Sequence, residues 1–315
     1  MTLSFKRPFL IYNPVSGQTN PADLKQAFEH ACEQYGWDAM LYETQKNDNL
    51  LAIVQDGIEK GCDLIIAAGG DGTVSEVAAT LVHVDIPLAI IPTGTGNLLA
   101  KQLHLPINLQ KGFTYIANEP DSILLDSMQI NKNHYILNVS VGLSSTMIEQ
   151  TTREEKRKFG MLAYIWNGLR VFIGFQPHRF HLNIDSVHAT TRASEVFITN
   201  AVLLKGDPVF KELFKWTEDE NLGVFIIKAR TFWRYVQLLF DFIGRKAHHS
   251  YNLTYYPLQK EFTLETKQSL TVQADGEVIG NTPLQMKVIP KAVRVLIPQK
   301  SPIATLLDAI VKQTS

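Results

Sequence analysis

Three short segments rich in glycine and hydroxyl-bearing residues each follow an apolar run: Asn13-Pro14-Val15-Ser16-Gly17, Gly69-Gly70-Asp71-Gly72-Thr73 and Pro92-Thr93-Gly94-Thr95-Gly96-Asn97. The middle segment is the most informative. Gly69, Gly70 and Gly72 let the backbone come close to an anion, and a helix beyond them would offer free N–H groups to it. That chemistry suits a phosphate. Asp71 cannot bind a phosphate directly and is better suited to holding Mg²⁺, alone or through water. A plain strand-to-helix turn needs one glycine and a cap, so it explains three glycines and an acid poorly. Thr93, Gly94, Thr95 and Asn97 would form a second wall of the same site. Asn13 and Ser16 would form a third.

These segments need a sheet to bring them together, and the first 130 residues supply its pattern. Phe9–Tyr12, residues 38–43, Asp63–Ala68 and Pro87–Ile91 read as strands. Helices are expected from Pro21 to about Tyr35, over 48–60, and from near Val74. Apolar strands alternating with helices imply a parallel sheet covered on both faces, whose ligands bind beyond the carboxyl ends of the strands. After about Ser122 the pattern changes to short strands. These are expected at 123–130 and 134–141, flanking a hairpin at Asn131-Lys132-Asn133, then at 180–187, 193–204, 222–228, 251–256, 261–266, 269–274, 284–289 and 292–297. Helices interrupt at about 154–175 and 231–244. This is an antiparallel β domain, a sandwich. The expected domains are an α/β domain over 1–127, to which a C-terminal helix within 300–315 docks back, and a β-sandwich domain over 128–299.

Bulk composition excludes several classes. With 45 % apolar and 19 % charged residues, the 315-residue chain can bury a core. A net charge of −1 provides no global field to attract nucleic acid. Cys32 and Cys62 are too few for a disulfide framework, which fits a reducing cytoplasm. The N-terminus lacks a signal-peptide core, and no apolar run reaches the ~18 residues of a membrane span.

Asp275-Gly276-Glu277 lies between two strand-like runs and reads as a hairpin turn, for which Asp-Gly is a favoured pair. Thr44 reads as a loop hydroxyl, and the acidic stretch Trp216–Asn221 as a solvated loop. His178 and His181 read as structural. Two aromatic-rich stretches with basic flanks, Phe159–Ile173 and Thr231–Phe240, suit either packing on the sandwich or an interfacial anchor.

The three glycine-containing motifs, in this order, resemble the catalytic domain of diacylglycerol and sphingosine kinases, with the bacterial diacylglycerol-kinase-like and YegS-like lipid kinases similar in length. The resemblance covers nearly the whole chain. It implies a nucleotide-binding α/β domain and a β-sandwich with the active site in the cleft between them. It maps nucleotide contacts onto Thr44, the run Gly70 to Glu76, and Thr95. It maps a magnesium–water network onto Asp71, Asn97 and Asp126, although Leu98 stands where many relatives carry aspartate. The same resemblance makes Asp275 a general base for the acceptor hydroxyl, assisted by Glu277, and Trp216, Asp219 and Asn221 the ligands of a structural magnesium. Asn138-Val139-Ser140-Val141-Gly142 matches a motif near the cleft, but Leu143-Ser144-Ser145 follows where many relatives have a polar or acidic run.

The expected activity is therefore transfer of the γ-phosphoryl group of ATP, with Mg²⁺, to a lipid hydroxyl. The expected location is cytoplasmic, with transient contact at the inner face of the membrane, and a homodimer is admitted. Two rivals share the fold. A non-catalytic nucleotide- or lipid-binding regulator would have lost the acids that are intact here. An NAD kinase shares the Gly-Gly-Asp-Gly turn but would carry an Asn-Glu pair and a further glycine-rich run, absent in that context. Diacylglycerol, a long-chain base, phosphatidylglycerol and an undecaprenol-like alcohol stay open as acceptors.

Overall fold

A computed structural model describes residues 5–17, 19–118, 120–145, 177–200, 222–243 and 250–299. The chain divides into two compact units, Met1–Ser127 with Leu203–Asp207 and Pro290–Ser315, and Met128–Val202 with Pro208–Ile289. The expected helix at 154–175, the C-terminal helix within 300–315, the residues Trp216, Asp219 and Asn221, and the whole Phe159–Ile173 stretch lie outside the described residues.

In the first unit, strands β1 (Pro8–Tyr12), β2 (Met40–Glu43), β3 (Leu64–Gly69) and β4 (Leu88–Pro92) pair in parallel in the order β2-β1-β3-β4. Every residue of β1, β3 and β4 is buried, which is why their sequences are continuous apolar runs. Helices α1 (Pro21–Tyr35), α2 (Leu50–Glu59), α3 (Asp71–Thr80), α4 (Leu98–Gln102) and α5 (Leu109–Ala117) follow them. Asn20, Asn49 and Asn108 cap α1, α2 and α5 by accepting from main-chain N–H groups. Helix α3 is different. Its cap is Gly70, which has no side chain to accept with. The helix begins at Asp71, three residues ahead of the expected Val74, so Asp71, Gly72 and Thr73 form its first turn. Asp71 there complements the positive end of the helix dipole.

Strand β5 (Asp121–Ile130) runs from the first unit into the second and forms a hairpin with β6 (Asn133–Tyr135). The expected 134–141 strand is broken: β6 stops at Tyr135 and β7 (Asn138–Gly142) joins another sheet. The second unit continues with β8 (His178–Ile184), β9 (Val187–Ala193), β10 (Glu195–Asn200), β11 (Leu222–Ile227), helix α6 (Phe232–Ile243), β12 (Leu253–Leu258), β13 (Glu261–Thr266), β14 (Thr271–Ala274), β15 (Glu277–Asn281) and β16 (Leu284–Ile297). One antiparallel sheet has the order β12-β11-β10-β7-β14-β15, and β16-β13-β8-β9 pair antiparallel in another. Val141, Val196, Ile226, Phe180, Phe262 and Met286 come from both sheets and share one core. That is a sandwich, with each side chain of Val or Phe size contributing about 1.5–3 kcal/mol on burial.

The runs 284–289 and 292–297 are one strand rather than two. Its first half pairs with β13 and Val295 pairs in parallel with Leu88 of β4. Residues 290–299, grouped with the sandwich from sequence, thus lie in the first unit. No helix among the described residues is long and apolar enough to cross a membrane.

Candidate active site

The ends of β1, β3 and β4 bring the three glycine segments into contact within the first unit. Asn13 Nδ2 donates to Thr73 Oγ1 at 3.2 Å, and Ser16 Oγ lies 3.2 Å from Thr93 Oγ1. Asn13 N donates to Ala68 O and Thr93 N to Gly69 O. The approach is too close for side chains. A Cβ on Gly17 would sit 1.6 Å from the Thr93 carbonyl oxygen, and one on Gly94 would sit 2.4 Å from Gly70 Cα. These two glycines serve loop-to-loop packing. Gly72 is the opposite case: a Cβ there would meet nothing within 4 Å. It faces open space in the first turn of the uncapped helix α3, where an anion would be received.

Asp71 joins the second and third segments. Its Oδ1 accepts from Leu99 N at 3.2 Å, and its Oδ2 would lie 2.9 Å from a Cβ on Gly96. Asn97, buried, donates from Nδ2 to Gly94 O at 2.7 Å, while its Oδ1 is buried with no hydrogen-bond partner among the described residues. Thr44 stands at the end of β2, with its N–H on Tyr12 O. Thr95 and Glu76 are exposed.

Asp126 lies on β5, in the same unit as the glycine segments. It is 3 % exposed, and its Oδ1 accepts from Lys291 N at 2.7 Å, where β16 bends with Lys291 in the left-handed region. The observed contact is thus a tie to the strand. Among the described residues no three His, Cys, Asp or Glu side chains cluster as a metal site.

One feature beside the glycine segments escaped the sequence reading. Tyr12 Oη donates a short hydrogen bond to Glu43, and Lys25 Nζ lies 3.1 Å from Glu43 Oε2 and over the Tyr12 ring. The Tyr12 hydroxyl, then Lys25, hold the Glu43 carboxyl below its ordinary range. The β1–β2 register sets Tyr12 opposite Glu43, and α1 supplies Lys25.

The second locus is the Asp275 turn of the other unit. Asp275 and Gly276 both have positive φ, +47° and +87°, as a two-residue type I′ hairpin requires. The hairpin is the expected one, but the carboxylate does more than the turn needs. Its Oδ2 accepts from Ile136 N at 2.9 Å, and its Oδ1 from Leu137 N at 3.0 Å and Asn138 N at 2.9 Å. Three consecutive N–H groups converge on one side chain, which is why the backbone leaves the ladder between β6 and β7. Glu277 is exposed at the start of β15.

A parallel α/β unit with glycine segments at its strand ends, joined to an antiparallel sandwich unit, defines a two-domain architecture. Comparison with known proteins narrows it. Residues 7–128 match the family model of the diacylglycerol kinase catalytic domain. Residues 138–297 match that of the YegS C-terminal NAD kinase beta sandwich-like domain. The chain belongs to this diacylglycerol-kinase-like family. It is similar to uncharacterized protein sll0036 of Synechocystis, at 30 % identity over 93 % of this chain and 70 % of that one. It is also similar to a Streptococcus pneumoniae protein named “Putative lipid kinase”, at 26 % identity over 92 % and 97 % of the two chains. Among solved structures, a “putative diacylglycerol kinase” from Bacillus anthracis shares the fold, with a TM-score of 0.75, 24 % identity, and coverage of 95 % of this chain and 99 % of that one.

Proposed function

We propose that this protein is an ATP- and Mg²⁺-dependent lipid kinase that phosphorylates the hydroxyl of diacylglycerol or a related lipid alcohol. The observation that carries the reading is the convergence of three glycine segments on a helix whose first turn has no side-chain cap. Main-chain N–H groups of α3 bind nucleotide phosphate there, and Ser16, Thr93, Thr95 and Thr44 line the strand ends around it. The attacking lipid oxygen forms a bond to the γ-phosphorus as the bond to the β-γ bridging oxygen breaks, and ADP leaves. Asp275 accepts the hydroxyl proton and Glu277 orients that oxygen. Positioning and electrostatics do most of the work in such a transfer.

The donor set suits Mg²⁺. Asp71 and the unpaired Asn97 Oδ1 are hard oxygen donors on adjoining segments, and this ion takes one or two protein oxygens together with substrate phosphates. When bound it neutralises phosphate charge. In this reading Asp126, whose Oδ1 accepts from Lys291 N, joins Asp71 and Asn97 in the magnesium–water network, and a structural ion at Trp216, Asp219 and Asn221 is a separate part of the same reading.

ADP release with Mg²⁺-ATP and a panel of lipid alcohols in mixed micelles tests this. Wild type should turn over with one lipid, and Asp275→Asn should lose on the order of 10²–10⁴-fold, the range for a general base. Nucleotide binding without turnover on any lipid would favour a non-catalytic regulator.

A further inference from the structure

Glu195, at the start of β10, is 3 % exposed and no part of the reaction above uses it. Its carboxylate accepts from Ser144 N at 2.9 Å and from Ser144 Oγ through a short hydrogen bond. Ser144 Oγ lies 2.7 Å from Ser140 Oγ, and Ser140 Oγ lies 2.7 Å from the side-chain amide of Gln273. Gln273, 3 % exposed, is two residues before Asp275. All these groups belong to the second unit, on β10, β7, β14 and the 143–145 turn.

Two continuous orders of the donors run the length of this chain. When Glu195 is ionised it only accepts, so Ser144 donates to it and Ser140 donates to Ser144. Ser140 must then accept from the Gln273 NH₂ group, with its 2.7 Å contact preserved. The Gln273 oxygen consequently faces the hairpin, accepting from Gly276 N at 2.5 Å and Asp275 N at 3.2 Å. When Glu195 is protonated it can donate to Ser144, and the order reverses. Ser140 then donates to the Gln273 oxygen, and the Gln273 NH₂ group turns towards Asn138 Oδ1 at 3.2 Å and the turn's own N–H groups. Gly276 N loses its acceptor. Each hydroxyl has one proton to give, so in these two orders the direction at Glu195 and the direction at Gln273 go together.

We propose that Glu195 is a positioning residue for the Asp275 turn, acting through the Ser144–Ser140–Gln273 hydrogen-bond chain. In the ionised state the chain ends as an acceptor for the turn and pins it; in the protonated state that acceptor is withdrawn. Burial pushes the Glu195 carboxyl up to about 7, against hydrogen bonds from Ser144, from the Ser140 side chain and from the Leu143 backbone that lower it, so both states are populated near neutral pH. The titratable group facing Glu195 from α6 is Tyr235, whose hydroxyl donates to Ser194 Oγ at 2.5 Å and is itself raised to about 12, mainly by burial. Neither β7 nor the 143–145 turn presents a charged side chain to Glu195 among the described residues. The catalytic consequence rests on the kinase reading; the coupling of Glu195 to the turn does not.

The test uses the full chain labelled with ¹⁵N-glycine, following the Gly276 amide across about pH 5 to 9. Wild type should show one transition with a midpoint near 7. Glu195→Gln should abolish it, and so should Ser140→Ala, which leaves Glu195 free to titrate but cuts the chain. A flat Gly276 signal in wild type, or the same transition in all three proteins, overturns the proposal. In the activity arm, kcat/KM for the lipid should fall below the same midpoint in wild type and become level in Glu195→Gln, with KM for ATP unchanged. If no protein turns over any lipid, the kinase reading falls while the amide signal still decides the coupling.

Discussion

The glycine segments of the first unit and the Asp275 turn of the second handle main-chain N–H groups in opposite ways. At the start of α3 the cap is a glycine, and the first turn is offered no side-chain acceptor. At the break between β6 and β7, three successive N–H groups are all taken by one carboxylate. The first arrangement keeps donors available for an incoming anion. The second spends donors to fix an anion that belongs to the chain. A locus with open N–H donors and a locus with claimed ones are therefore built from the same backbone group, and what differs is whether a side chain has already claimed it.

Three substitutions test that contrast. Gly17→Ala should have the largest effect. Its Cβ collides with the Thr93 carbonyl at a φ of +77°, so the segments must separate, with a cost of roughly 3 kcal/mol or more. Urea denaturation measures it, and an unchanged midpoint would mean that the segments are not packed as described. Asp275→Ala should cost about 2–3 kcal/mol by leaving the Ile136, Leu137 and Asn138 N–H groups without their acceptor. Hydrogen exchange at those three amides should accelerate; unaltered protection would show the carboxylate to be dispensable to the fold. Gly72→Ala should be the mildest for stability, neutral or stabilising by up to ~1 kcal/mol, because Ala suits a helix better and nothing lies in its way. Its nucleotide affinity, read by titration calorimetry with an ATP analogue, should fall all the same. Unchanged affinity would remove α3 from the nucleotide site.

Much of the first unit is legible in the sequence because β1, β3 and β4 are buried on both faces and so are written as unbroken apolar runs that stop at Asn13-Pro14, Gly69 and Pro92. The Asp275-Gly276 turn is legible for a comparable reason, since few residue pairs tolerate two positive φ angles in succession. The start of α3 is not. Asp-Gly-Thr has poor helix propensity, and the helix extends over it because β3 and the neighbouring segments fix it there. Strand β9 was missed because Val187–Ala193 is mostly exposed and polar, so only its pairing with β8 reveals it. Pro290 reads as the end of a strand, yet β16 runs through it with a bend at Lys291. The candidate site divides in the same way. Residues contiguous in a motif, such as Gly69 to Thr73, could be proposed from sequence. The Asp126–Lys291 tie and the path from Glu195 to Gln273 join residues far apart in the chain, and only strand pairing reveals them.

The bend in β16 has a consequence for how the protein is made. The edge of β4 is completed by Val295, a partner more than two hundred residues downstream of Leu88. On the ribosome, the glycine-bearing sheet emerges first but lacks its outer strand until the sandwich has been synthesised. An open parallel edge is a template for mispairing with other chains. The first unit to be translated is thus among the last to be finished, and its exposure to aggregation should depend on how fast the second unit is delivered.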